Sequence, residues 1–385
     1  MLITISERPT DTAAANDHDH RIRSLPILVL FPHNRCNCRC VMCDIWRLRE
    51  VREITAADLE RHREDMRALG VRWVVLSGGE PLMHSDLAAL CGVLRRDGVR
   101  ITILSTGILL KPRAALVTDS VDDVIVSLDG PPAIHDRIRN LPNAFSRLAA
   151  GVEALRDLRP SMPVSARCTV QKMNRGALRA TVDAARDLRL NSISFLAADV
   201  SSSAFNRPEP WSMEKTEEVA LCAHEVEELD AEIEALIRDC GGEIAGGFIA
   251  ESAAKLQRIT DHFRAHLGRV PFVAPRCNAP WVSSVIEADG TVRPCFFQPA
   301  VGRLDGTTLD GVLNSEEAVR FRRQLDIASD PICRRCVCSL HLTGDKNGAL
   351  ASQSAGESLS SALPSLGAPK QTGISKAPTL GGAAG

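Results

Sequence analysis

Short apolar runs rich in Val and Ile recur from residue 26 onward, and each is followed by a stretch in which apolar positions return every three or four residues. Runs of this kind bounded by turn formers read as buried strands, and the 3.6-residue period reads as amphipathic helix. The candidate strands are 26–31, 71–77, 100–105, 123–128, 163–170 and 191–197. Their alternation with helices predicts six βα units around a parallel sheet. Two helices carry end signals: Thr55 with Asp58 resembles a capping box and Gly70 can close the same helix, while Phe145, Leu148, Val152 and Leu155 fall on one face behind Asn143.

After the sixth strand the pattern changes. A stretch with two prolines, Arg207, Pro208, Glu209 and Pro210, leads into a long acidic helical segment around Ala220 to Arg238, so 201–270 reads as a helical connector. Residues 271–342 are cysteine-rich and predict a small second domain, with a hairpin over Val285 to Val292 turning at Asp289-Gly290, a two-residue turn signal. The Gly-, Ala-, Ser- and Pro-rich tail 343–385 and the polar start 1–24 are expected to be disordered. The first domain is expected over 25–200.

The chain has 385 residues, enough for two to three domains and a large core. Its 46 basic and 48 acidic residues leave a net charge of -2, so no strong field points to nucleic acid or an anionic membrane. The longest apolar stretch, Leu25 to Phe31, is interrupted by Pro26 and is too short to span a bilayer. No apolar run follows a basic start, which predicts a cytoplasmic protein. Thirteen cysteines in that setting stay reduced, so metal or cluster ligation is the leading explanation for any tight grouping.

One such grouping follows the first strand: Cys36, Cys38, Cys40 and Cys43, of which Cys36, Cys40 and Cys43 show the spacing C-x3-C-x2-C. Three thiolates on a 4Fe-4S cluster leave one iron open to another ligand. A structural zinc with a distant fourth ligand, or a chance cluster of buried cysteines, would show the same spacing. Cys38 is the odd member. Gly78-Gly79-Glu80-Pro81 follows the second strand, Ser105-Thr106-Gly107 the third, and Ser127-Leu128-Asp129-Gly130 the fourth, with His135 to Arg139 behind it. Arg167 lies on the fifth. Singly, Gly78-Gly79 could be an ordinary turn and His135 to Arg139 a solvated helix start.

In this order, at successive strand ends, these motifs resemble the radical SAM superfamily. The resemblance implies a partial (β/α)6 TIM-type barrel with its chemistry at the C-terminal strand ends. It implies a 4Fe-4S cluster on Cys36, Cys40 and Cys43 whose open iron binds S-adenosylmethionine, which is cleaved to a 5'-deoxyadenosyl radical that abstracts a substrate hydrogen. By the same resemblance Gly78 and Gly79 let the backbone approach the methionine moiety, Glu80 accepts from its ammonium, and Ser127 and Arg167 contact ribose and carboxylate. An Arg fork suits a carboxylate, although a surface ion pair would serve Arg167 equally well. Met42 stands where the family usually has an aromatic residue, and the loop after the third strand lacks the family's frequent Asn.

Cys277, Gly290, Cys295, Cys333, Cys336 and Cys338 resemble the SPASM/twitch auxiliary-cluster extension of that superfamily. With no cysteine after Cys338, the one-cluster twitch form matches better, with Cys277, Cys295, Cys333 and Cys336 as ligands of a second 4Fe-4S cluster and Cys338 as a spare or alternative; four thiolates would also hold zinc. An auxiliary cluster implies an oxidoreductase that passes an electron from the substrate radical to it, with a flavodoxin- or ferredoxin-type donor supplying the first electron. Asp199, just past the sixth strand, is the candidate base, a loop cap being the plainer reading. The short segment before the first strand tilts the substrate toward a small molecule. Maturation of a ribosomal peptide or protein, or a non-catalytic iron-sulfur or zinc protein, are the alternatives.

Overall fold

A computed structural model describes residues 19–207 and 211–342. The tail 343–385, the start up to residue 18, and Pro208 to Pro210 lie outside the described residues. Residues 19–24, expected to be disordered, are tied down: the Asn314 side chain accepts from the Ile22 N–H at 2.7 Å and donates to its carbonyl at 2.9 Å, and Ile22 is buried.

The six expected strands form within two residues of their predicted bounds: β1 (Ile27–His33), β2 (Trp73–Gly78), β3 (Arg100–Ser105), β4 (Asp123–Ser127), β5 (Val164–Val170) and β6 (Ser192–Ala197). Each pairs in parallel with the next. Their sequences are nearly continuously apolar because both faces are covered. Leu28, Leu30, Val74, Leu76, Ile101 and Ile103 pack into the main core, whereas Ile27, Trp73 and Val75 point into the hollow of the sheet and meet Val282 and Leu342 from the second cysteine region.

That second region is not a separate sheet. β7 (Ser283–Ile286) pairs in parallel with β1, from Ile27↔Ser283 to Leu30↔Ile286, and β8 (Thr291–Arg293) and β9 (Gly302–Arg303) follow antiparallel. The order is β6-β5-β4-β3-β2-β1-β7-β8-β9. The hairpin turn also differs from expectation. Glu287 N–H donates to the Thr291 carbonyl and Gly290 N–H to the Glu287 carbonyl, with Gly290 at φ +84°, so three residues rather than two make the turn, a left-handed glycine closing it.

The capping box is present: Thr55 and Asp58 exchange backbone and side-chain bonds ahead of Ala56–Arg61, and a break at His62 leads into Arg63–Ala68, which Gly70 closes at φ +68°. Ala144–Leu158 buries Leu148, Val152 and Leu155. Asn143 does not cap it with its side chain; the Asp136 carboxylate accepts from the Asn143 and Phe145 N–H groups instead. The connector holds Met213–Val219, Ala223–Asp239 and Ala253–His266. Just before the last of these, Ile249 bridges in parallel to Ile193, extending the sheet beyond β6. Among the described residues no helix is long and apolar enough to cross a membrane.

Candidate active site and metal centres

The loop carrying Cys36, Cys40 and Cys43 leaves the C-terminal end of β1 and lies on the end of the helix Pro132–Arg139: Arg39 N–H donates to the Arg139 carbonyl at 3.2 Å and Val41 N–H to that of Ile138 at 3.1 Å. Arg139 is buried, pairs with Asp129 at 2.5 Å and donates to Cys40 Sγ at 3.5 Å. Asp129, itself enclosed, accepts the Thr169 N–H at 2.9 Å, while its own N–H donates to His135 Nδ1 at 3.2 Å. His135, Ile138 and Arg139 therefore form a buried brace under the cysteine loop, while Arg137 between them stays exposed. A hydrogen bond from the Cys38 thiol, helped by the Arg139 guanidinium, holds the Cys40 thiol below its ordinary range, and the same pairing pushes Cys38 up. Burial raises Cys36 and pushes Cys43 up to about 12.

The loop after β2 is pressed against the cysteine loop. Glu80 N–H donates to the Arg35 carbonyl at 2.7 Å, and a Cβ on Gly79 would sit 2.0 Å from that oxygen. Gly78, at φ +95°, would meet the Phe31 ring at 2.7 Å. Both glycines are thus required for loop packing, whatever approaches them from outside. Glu80 is fully buried; its oxygens accept from Ser105 Oγ, Thr106 N–H, Thr106 Oγ1 and Leu82 N–H at 2.7 to 3.1 Å. It ties the loop after β2 to that after β3, and burial raises its pKa despite these donors.

Ser127 and Arg167 are register partners across β4 and β5. Arg167 Nε donates to Ser194 Oγ at 2.6 Å, and burial lowers its basicity while Glu251 and Cys338 steady its charge. The residue is half-buried rather than fully exposed. Asp199 is placed differently from the role expected of it. The residue is 5% exposed, and its carboxylate pairs with Arg207 at 2.8 Å and accepts from Ser201 N–H, Ser202 N–H and Ser202 Oγ. Those bonds occupy the oxygens a base would use, so the loop-cap reading prevails. Arg207 in turn donates to the Met42 carbonyl at 3.0 Å and stacks 3.8 Å from the Trp211 ring, whose Nε1 donates to Asp44 at 2.6 Å. Through Arg207, Asp199 thus links the end of β6 to the cysteine loop.

The second cysteine group gathers Cys277, Cys295, Cys333, Cys336 and Cys338. Cys295 feels Cys277 and Cys338, Cys336 feels Cys338, Cys295 and Cys277, and Cys333 feels Cys295. Burial pushes Cys295 and Cys333 up to about 12, and Gln298 Nε2 donates to Cys333 Sγ at 3.3 Å. Cys336 and Cys338 line a cavity with Phe195, Leu196 and Ala197, so this segment reaches from the β7–β8 side of the sheet to the end of β6. Cys91, Cys168 and Cys240 are single and buried.

Neither group is drawn up around a single ion. Among the described residues, the set of three ligand atoms found mutually within 4.8 Å is Cys222, His224 and Glu225, outside both groups. Thiolates around one tetrahedral zinc, at about 2.3 Å each, would stand about 3.8 Å apart. Wider spacing suits a polynuclear cluster with each thiolate on its own iron. A cavity of about 550 Å³ opens beside the first group, between Gly78, Gly79, Ile45, Phe205, Arg207 and Arg293.

Several of these residues left little trace in the sequence. Arg139 and Arg207 are ordinary arginines until folding buries them. Glu251, buried beside Arg167, had one available signal: Glu251, Lys255, Arg258 and His262 recur at helical spacing on one face.

A partial parallel barrel with an open three-cysteine loop at its C-terminal rim, and a second cysteine group against its open side, defines a class: an α/β protein built to hold iron-sulfur clusters. The radical SAM superfamily profile matches residues 30–185, and that of the SPASM iron-sulfur cluster-binding domain matches residues 277–337. Residues 30–185 thus carry a radical SAM domain and residues 277–337 a SPASM domain, and the cofactors that go with these domains are a 4Fe-4S cluster with S-adenosylmethionine and auxiliary iron-sulfur ligation. The chain is similar to the AdoMet-dependent heme synthase of Methanosarcina barkeri, 32% identical over 158 residues, covering 40% of this chain and 45% of that protein. It is also similar to the PqqA peptide cyclase of Ruegeria pomeroyi, 28% identical over 163 residues, 40% and 42% of the two. The chain thus spans less than half the length of these relatives. In fold it is similar to Streptococcus suis SuiB bound to S-adenosylmethionine, with a TM-score of 0.57, 14% identity and coverage of 85% and 75%. It is similar too to anSMEcpe with bound AdoMet, with a TM-score of 0.58, 16% identity and coverage of 77% and 82%.

Proposed function

We propose that this chain is a radical SAM oxidoreductase acting on a small molecule, with one 4Fe-4S cluster on Cys36, Cys40 and Cys43 and a second on four of the five cysteines Cys277, Cys295, Cys333, Cys336 and Cys338. The observation that carries the reading is the pairing of β7 with β1, which joins the two cysteine groups through one sheet, while Cys336 and Cys338 line a cavity together with the end of β6. When bound, the first cluster with S-adenosylmethionine supplies a carbon radical that abstracts a hydrogen atom, and the second offers an electron acceptor. The chain's residues do the rest. Arg139 and Asp129 fix Cys40, and Glu80 holds the loops after β2 and β3 in register. The Asp199–Arg207 pair and Trp211 tie the region after β6 to Met42 and Asp44 at the end of the cysteine loop. Ser127 and Arg167 present a hydroxyl and a guanidinium toward ribose and carboxylate.

A second reading, maturation of a peptide or protein, is supported by the similarity to the PqqA peptide cyclase. In either case a flavodoxin or ferredoxin would deliver the electron. The test is anaerobic reconstitution followed by reduction with dithionite and S-adenosylmethionine: 5'-deoxyadenosine should form, and should be lost in Cys36→Ala while Cys38→Ala retains it. Equal yield from Cys36→Ala would overturn the assignment.

A further inference from the structure

On the open side of the sheet a cavity of about 370 Å³ lies between the end of β6, the helix Ala253–His266 and the segment carrying Cys336 and Cys338. That volume is in the range of small-ligand pockets. Its walls are partly apolar, with Ile259, Val270, Phe272 and Val337, yet one helical face puts ionisable groups into it: Lys255 and Arg258, followed by His262. Glu251 stands one step before that helix. It is 3% exposed; its Oε2 accepts the Phe195 N–H at 2.8 Å, while its Oε1 is buried and has no hydrogen-bond partner among the described residues. A buried carboxylate oxygen left without a donor is costly, and such atoms call for an explanation. Lys255 is half-buried, feels the Glu251 charge and lines the same space. Arg258 uses one nitrogen on the Val273 carbonyl at 3.4 Å.

We propose that this cavity binds the substrate of the radical reaction, and that the substrate is an amino-acid-like zwitterion whose ammonium meets Glu251 Oε1 and whose carboxylate lies against Lys255 and Arg258. This rests on the radical reading above. The carboxylate without a donor asks for a donor, the two cations on the next turns ask for an anion, and the apolar wall takes the body of the ligand. The auxiliary cysteines Cys336 and Cys338 border the same space, so a ligand held there lies beside the second metal site. Glu251 is a binding residue in this arrangement, and no proton or electron is assigned to it.

Three probes with one apolar body separate the contributions: phenylalanine, 3-phenylpropionate, which lacks the amine, and 2-phenylethylamine, which lacks the carboxylate. Calorimetric titration into the reconstituted full-length chain with S-adenosylmethionine present should show phenylalanine binding roughly tenfold or more tighter than either, the worth of one charge-assisted contact. Glu251→Gln, which keeps an acceptor for the Phe195 N–H, should erase the advantage over 3-phenylpropionate, and Lys255→Met the advantage over 2-phenylethylamine. Equal binding of the three probes, no binding of phenylalanine at millimolar concentration, or a ranking unchanged in both variants would overturn the proposal. The same samples are assayed for 5'-deoxyadenosine. Cleavage without selective binding sinks the cavity alone, whereas selective binding without cleavage sinks the radical reading and leaves the cavity.

Discussion

At the scale of single residues, the first cysteine loop depends on two buried charges. Arg139 and Asp129 pair at 2.5 Å in a buried site, and Arg139 also touches Cys40. Removing one member of a buried pair leaves the other uncompensated, which costs about 3–5 kcal/mol. Arg139→Met should therefore lower the unfolding free energy by roughly that amount in urea and release iron from the first site, and adding Asp129→Asn should recover part of the stability but not the iron. Glu251 gives a pH signature of opposite sign to the usual carboxylate. Burial raises it from 4.5 to about 7, with Arg167 and Lys255 as the charges facing it. Between those values the unfolded chain has released a proton that the folded chain still holds, so this group's contribution to stability falls as pH rises from 4.5 to 7. Urea midpoints measured across that window should decline more steeply for the wild type than for Glu251→Gln; parallel curves would mean that Glu251 is solvated.

At the scale of elements, much was legible in the sequence and the misses share a cause. The strands follow from continuous Val- and Ile-rich runs, and the Thr55–Asp58 box from four adjacent residues, because those signals are local. The β1–β7 pairing joins positions more than two hundred residues apart, and nothing in either strand's pattern names its partner. Asp199 at a strand end is a fair candidate base until Arg207, eight residues on, folds back on it. The glycine motif is the intermediate case. Gly78-Gly79 was visible, but its packing against Phe31 and Arg35 was not. That packing predicts a contrast between two single-methyl insertions. Gly79→Ala places a Cβ 2.0 Å from a backbone oxygen and should displace the loop and impair S-adenosylmethionine binding. Gly70→Ala, with φ +68° and open space around it, should cost only about 1 kcal/mol of stability and leave binding intact. Equilibrium dialysis of S-adenosylmethionine with the two variants, alongside thermal melts, checks both halves.

At the scale of the whole molecule, one sheet of nine strands organises two cysteine groups. β1 serves both, since its C-terminal end carries the first loop and its free edge receives β7, from which the second group is hung. Ile27, Trp73, Val282 and Leu342 pack together at the N-terminal ends of β1, β2 and β7, and cavities open at the C-terminal rim and on the open side. The central claim is that this arrangement holds two independent iron-sulfur clusters, and counting is its most direct test. Iron and acid-labile sulfide are measured in the anaerobically reconstituted chain, in the variant with Cys36, Cys40 and Cys43 all changed to Ala, and in the variant with Cys277, Cys295, Cys333, Cys336 and Cys338 all changed to Ala. The expected values are about eight irons for the unmodified chain and about four for each variant, with matching sulfide. About four irons in the unmodified chain, or one variant stripped of all iron while still folded, would contradict it.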